Sequence, residues 1–142
     1  MSYCPYGITI VMKVKKVILV EDDPDDRELF LNFYSARADI SVLPPLGNGQ
    51  ELIAYLDTLD DETQLPHLIV LDQNMPKMNG KQTLAFLQSS DRYSKIPAVI
   101  YSTHTDSNLI ISCKQFGARM VASKPIDYNG YQKMMDDFLQ IL

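Results

Sequence analysis

Five polar residues stand at the ends of short apolar runs that lie far apart in the 142-residue chain. Glu21 and Asp22 end "VILVED", Asp72 ends "LIVLD", Ser102 ends "AVIYS" and Lys124 ends "VASK". Carboxylates drawn together repel, by about 1 kcal/mol at 4 Å in water and about 4 kcal/mol near a protein surface. A divalent cation removes that penalty, and an all-oxygen site that keeps several waters suits Mg²⁺. Glu21 and Asp22 are the candidate ligands, with Asp72 beside them. A carboxylate next to such a cation can attack a phosphoryl group and carry it as an aspartyl phosphate. Asp72 is the candidate nucleophile because it ends the central buried run. The cation and Lys124 would neutralise the transferring oxygens, and Ser102 would hydrogen-bond one of them. Each residue alone also has an ordinary use. Ser102 can satisfy a loop, Lys124 can snorkel to water, and Asp72 can open the turn "NMPKMNG".

The elements that must bring these residues together follow from periodicity. Apolar runs at Val17–Val20, Leu68–Leu71 and Ala98–Tyr101 are continuous, as strands buried on both faces are. Ile40–Leu43, stopped by two prolines, reads as an edge strand, and Met120–Ala122 as a fifth, short strand. Helical spacing marks Pro24 to Ala38, a segment around Leu52 to Leu59, and Gly80 to Ser90. It also marks Leu109 to Phe116, closed by Gly117, and a last helix with Tyr131, Met134, Met135, Phe138 and Leu142 on one face. The alternation predicts an α/β fold, a doubly wound five-stranded parallel sheet with helices on both faces. In such sheets ligands bind beyond the carboxyl ends of the strands, where all five polar residues fall.

Glu21 to Asp26 contains five carboxylates. Asp23 followed by Pro24 reads as a helix N-cap and first helical position. Asp25 and Asp26 then sit favourably in the first turn, so these three acids are given a structural reading. Residues 1–11 look unlike the rest and are expected to be a leader, either disordered or an upstream-start extension; the alternative is a short extra strand at Ile8–Met12. Residues 12–142 form the expected domain.

Composition narrows the function. A net charge of −5 argues against tight nucleic-acid binding, which needs clustered cations. Cys4 and Cys113 have no metal-ligand spacing and suit a reducing compartment. No apolar run reaches the length of a membrane span, and the expected location is cytoplasmic.

The segments "VILVEDD", "LIVLDQNMPKMNG", "VIYST" and "SKP", in that order, resemble the receiver domain of two-component response regulators over nearly all of residues 12–142. The resemblance implies the flavodoxin-like strand order 2-1-3-4-5 and a stand-alone receiver. It also implies Asp72 as phosphoacceptor, Glu21 and Asp22 as the acidic pair for Mg²⁺, and the Asn74 backbone carbonyl as a further ligand. Ser102 and Lys124 match the switch hydroxyl and the phosphate-pairing lysine, and Lys124–Pro125 matches a bond usually cis in the family. Asn74 and His104 fall at positions that flank the phosphoryl group. Val121 stands where the family often carries an inward-rotating aromatic ring, so the aromatic half of the usual switch is missing.

The implied partners are a sensor histidine kinase or histidine phosphotransfer protein and a downstream protein. Helix four, strand five and helix five form the implied docking or homodimer face, with Tyr128 and Tyr131 as candidate contributors. Two rival readings remain at this stage. A haloacid-dehalogenase-type hydrolase would need an acid two residues after Asp72, where Asn74 stands. A receiver-like interaction module that is never phosphorylated is the other.

Overall fold

The structure is a computed structural model that describes residues 13–142 and the backbone of two short segments before them. Ser2–Tyr3 and Thr9–Ile10 pair antiparallel as a separate two-stranded ladder. Part of the alternative strand at Ile8–Met12 is thus present, and the remainder of the expected leader lies outside the described residues. The main sheet contains β1 (Lys15–Val20), β2 (Ile40–Val42), β3 (Leu68–Asp72), β4 (Ala98–Ser102) and β5 (Val121–Ser123). Every pairing is parallel, in the order β2-β1-β3-β4-β5. The helices are α1 (Pro24–Tyr34), α2 (Gly49–Asp57), α3 (Gly80–Ser89), α4 (Ser107–Gln115) and α5 (Tyr128–Gln140).

Alternation along each strand sorts the core into two layers. Ile18, Val20, Ile69, Leu71 and Ile100 pack against Leu52 and Leu56 of α2, Leu84 and Leu87 of α3, and Cys113 of α4. Val17, Leu19, Leu68, Val70, Val99 and Tyr101 pack against Phe30 and Tyr34 of α1 and Tyr131, Met134, Met135 and Phe138 of α5. Tyr131 is therefore a core residue, while Tyr128 remains exposed. The Tyr34 hydroxyl donates to the Tyr131 carbonyl at 2.6 Å and locks α1 to α5.

The helices start where the sequence supplies side-chain caps. Asp23, Asn48, Asn79, Asp106 and Asp127 each accept a backbone N–H from the first turn of the following helix. Those bonds satisfy donors that a helix start leaves free. Helix α1 ends at Tyr34, four residues short of the expected Ala38. Tyr34 is its last buried side chain, and Arg37 beyond it turns to pair with Asp39 and Asp136. Gly117, at φ 105°, closes α4 in the left-handed region that glycine enters without a Cβ clash.

The amino end of the sheet carries a pH-sensitive contact. His67 Nδ1 accepts the Lys16 backbone N–H at 2.8 Å, which requires that nitrogen to be unprotonated. Desolvation first, and then the charges of Lys15 and Lys16, hold the imidazole below its usual value of 6.5. A depressed folded pKa means that this stabilisation is complete above 6.5 and is lost as pH falls through the folded value. Urea midpoints should therefore decline more steeply on acidification below pH 6.5 in the wild type than in His67→Ala. Parallel curves would remove His67 from the acid response.

Candidate functional site

Strand parity brings most of the sequence-predicted residues to one place. Glu21 continues the side of β1 that carries Val17 and Leu19, and Asp72 the side of β3 that carries Leu68 and Val70. Lys124 follows Ala122 in the same sense. All three reach the carboxyl edge on the face covered by α1 and α5. Glu21, Asp22 and Asp72 offer carboxylate oxygens within 4.8 Å of one another. Asp22 and Asp72 line a cleft of about 260 Å³ together with Asp23, Asp26, Asn74, Thr103 and Lys124, and Glu21 lies buried behind it.

Lys124 binds this acidic group together. Its Nζ lies 2.8 Å from Glu21 Oε1, 2.8 Å from Asp26 Oδ2 and 3.3 Å from Asp72 Oδ1. Burial opposes the ammonium charge. Hydrogen bonds to Asp26 and Glu21 and the charges of Asp72 and Glu21 outweigh it and hold the pKa above the ordinary lysine value. Glu21 is fully buried. Burial, followed by the adjoining Asp72 carboxylate, pushes Glu21 from 4.5 up to about 7 against the pull of Lys124. One ammonium therefore compensates the acids only in part, and three convergent carboxylates are a donor set that fits a hard divalent cation.

The loop after β3 fixes the rest of the rim. Met78 N–H bonds the Pro76 carbonyl at 2.6 Å across Lys77, which takes a positive φ of 65°. Gly80 then returns the chain so closely that a Cβ there would stand 2.9 Å from the Asp72 carbonyl oxygen. Asn74 is thereby held at the cleft, where its backbone can face a cation beside Asp22 and Asp72.

One expectation needs correction. The Lys124–Pro125 bond is trans, like every peptide bond among the described residues. Trans is favoured by about 0.5–1 kcal/mol even before proline, and from it Lys124 already reaches three carboxylates. The Ser102 hydroxyl does not face the cleft. It donates to the His104 carbonyl at 3.2 Å, and Thr103 lines the cleft instead. Ser102 shares the parity of Ala98 and Ile100, which point to the other face of the sheet. The His104 side chain lies on the exposed surface, and Val121 is half-buried against the α2–α4 layer.

Asp26, Thr103 and Tyr101 are site residues that the sequence reading missed. Asp26 lies in the first turn of α1, and its carboxylate reaches Lys124 Nζ at 2.8 Å. Tyr101 shares the parity of Val99, and hence the face of Glu21. Its hydroxyl donates to Glu21 Oε1 at 2.9 Å, and its ring lies 4.8 Å from Lys124 Nζ. Burial, with the Glu21 charge behind it, raises the Tyr101 pKa, so the hydroxyl stays protonated as a donor.

A larger groove of about 400 Å³ runs between β5 and α5, past Pro125, Ile126 and Met134. It is mostly apolar and lacks the convergent acids, so the chemistry belongs to the smaller cleft. No helix among the described residues is long and apolar enough to cross a membrane.

Comparisons with known proteins agree with this geometry. A protein-glutamate methylesterase/protein-glutamine glutaminase of Bacillus licheniformis is 31% identical over 112 residues, which are 78% of this chain and 29% of that protein. The nitrate/nitrite response regulator NarL of Escherichia coli is 31% identical over 102 residues, 72% of this chain and 44% of NarL. The chain thus spans less than half the length of each of these two relatives. Among solved structures, the phosphorylated cyanobacterial phytochrome response regulator RcpA superposes with a TM-score of 0.74 at 26% identity, covering 87% of this chain and 90% of RcpA. The Mn²⁺-bound form of Rcp1 gives a TM-score of 0.76 at 24% identity, covering 90% and 96% of the two chains. The family described as "Response regulator receiver domain" matches residues 17–136. With the sheet order and the acidic edge already in place, that match makes this chain a member of the response regulator receiver domain family.

Proposed function

We propose that this receiver domain takes a phosphoryl group onto Asp72 from a histidine kinase or histidine phosphotransfer protein, with Mg²⁺ held by Glu21, Asp22, Asp72 and the Asn74 carbonyl. The observation that carries the reading is the convergence of three carboxylates within 4.8 Å, with a single ammonium among them. Bound there, Mg²⁺ supplies charge neutralisation for the incoming phosphoryl oxygens. The chain's own residues do the rest. Asp72, at the rigid end of a fully buried strand, presents its carboxylate to the cleft. Lys124, 3.3 Å away, is placed to follow a phosphoryl oxygen.

Ser102 reaches such an oxygen by rotating off the His104 carbonyl, which loosens the β4–α4 loop. Hydrogen bonds to charged groups contribute about 1.5–3 kcal/mol each. Two of them approach the roughly 5.5 kcal/mol that reverses a two-state equilibrium. With Val121 at the usual aromatic position, the change is concentrated in that loop and α4, without a large displacement of α5. The α4–β5–α5 face is the readout surface for a downstream protein or a second copy of the chain. Ile111 of α4 and Ile126 are exposed, and Ile126 lines the larger groove. A cytoplasmic location, where both donors and Mg²⁺ are available, follows from this reading.

The test is incubation with Mg²⁺ and acetyl phosphate, read by intact mass. A single phosphoryl adduct that fails to form in EDTA is the expected result. No adduct in either condition would leave the chain as an interaction module that is not phosphorylated.

A further inference from the structure

Glu21 carries one more methylene than an aspartate, and that length is used. Its carboxylate is fully buried and its two oxygens face different partners. Oε1 accepts from the Tyr101 hydroxyl at 2.9 Å and from Lys124 Nζ at 2.8 Å. Among the described residues, Oε2 accepts only the Asp23 N–H, at a long 3.3 Å. Tyr101 is itself fully buried in the α1–α5 layer, its ring edge-on to Phe30 with centroids 6.2 Å apart. Packing holds the hydroxyl in place, and the hydroxyl holds Oε1.

We propose that Tyr101 is a positioning residue for the metal site: its hydroxyl clamps Glu21 Oε1, fixes the orientation of that carboxylate beside Asp22 and Asp72, and makes glutamate the working residue at position 21. The inference rests on the metal-dependent reading above. The same hydroxyl has a second effect. When Lys124 turns to Asp72, a buried carboxylate would be left nearly without donors, a costly state. Tyr101 keeps one donor on Oε1, so Lys124 is free to move.

Binding of Mn²⁺ to the full chain, read from loss of the free-ion electron paramagnetic resonance signal, tests this without any phosphoryl donor. Tyr101→Phe keeps the ring and its contact with Lys124 and removes only the hydroxyl. Its Mn²⁺ affinity should fall about tenfold, near the lower end of what a hydrogen bond to a charged group contributes. Glu21→Asp keeps the charge but draws the carboxylate back by about 1.5 Å, one bond length, beyond reach of the hydroxyl. It should weaken Mn²⁺ binding comparably. In the Glu21→Asp background, adding Tyr101→Phe should change affinity by less than about twofold, since the clamp is already broken.

Wild-type affinity in Tyr101→Phe, wild-type affinity in Glu21→Asp, or an equal penalty in both backgrounds would each overturn the clamp while leaving the metal site standing. A wild-type chain that takes up no Mn²⁺ would overturn both.

Discussion

Asp72→Asn is expected to abolish the phosphoryl adduct, whereas Asp22→Asn should slow its formation by about 10²–10³-fold and Asp26→Asn should leave it intact. The ordering follows from where each carboxylate stands. Asp72 ends β3 in register with Tyr101 of β4, nearly buried, and faces both the acid pair and Lys124. An amide at that position offers no anionic oxygen to attack phosphorus, so the reaction has no first step. Asp22 is exposed at the mouth of the same cluster. Losing it weakens the hold on the cation, and the loss of one electrostatic contributor of this kind costs about 10²–10³ in rate. Among the described residues, the Asp26 carboxylate pairs only with Lys124, at 2.8 Å, in the resting arrangement. Without it the ammonium has one fewer competitor for an incoming phosphoryl oxygen. Intact-mass time courses with acetyl phosphate distinguish the three variants. An adduct surviving in Asp72→Asn would transfer the nucleophile to another carboxylate of the cluster. The chain is not expected to turn over phosphate esters as a hydrolase does, beyond autodephosphorylation of its own adduct. The position two residues on is Asn74, which has no proton to give or take as the acid/base of a dehalogenase-type hydrolase would.

The architecture was legible because its signals are local. Continuous apolar runs mark β1, β3 and β4, and capping residues mark each helix start. The only sizeable boundary error was at the end of α1, where Arg37 and Asp39 make a tertiary contact that no periodicity carries. The site was legible to the extent that it sits at strand ends. Glu21, Asp22, Asp72 and Lys124 meet as the spacing predicted, but noting which residue follows each apolar run does not say which way it points. Parity does. Counting by twos from Val99 places Tyr101 on the face of Glu21 and Lys124 and turns Ser102 away, and the same count brings Thr103 to the cleft. Asp26 was hidden by a sound local reason for its presence. An acid in the first turn of a helix serves the dipole, and nothing local says that it also meets a lysine 98 residues later.

The second large effect concerns stability. Lys124→Ala should unfold about 3–5 kcal/mol more easily in EDTA, and Mg²⁺ should restore more of the variant's stability than it adds to the wild type. The first half follows from burial. The Lys124 side chain is 11% exposed, and its partners Glu21, Asp26 and Asp72 are 0%, 25% and 6% exposed. Breaking a buried pair by removing one member leaves an uncompensated charge, and the quoted cost is typical of that loss. The raised lysine pKa fixes the window. The stabilisation is complete below the ordinary value of 10.5 and fades only as pH rises through the folded value, so neutral pH reads it undiminished. The second half follows from competition. In the wild type the ammonium already occupies Glu21 Oε1 and stands beside Asp72, so a cation must share those oxygens with it. Without the lysine the same carboxylates are both more repulsive and more available. Binding to the folded state alone adds RT ln(1 + [Mg²⁺]/Kd), a larger quantity when Kd falls. Urea titrations of both proteins, with and without Mg²⁺, give all four free energies needed. An unchanged midpoint in EDTA would mean that the ammonium does not compensate the acids. An equal Mg²⁺ increment in the two proteins would mean that lysine and cation do not compete, and that the cation sits farther from Glu21 than the convergence of the three carboxylates requires.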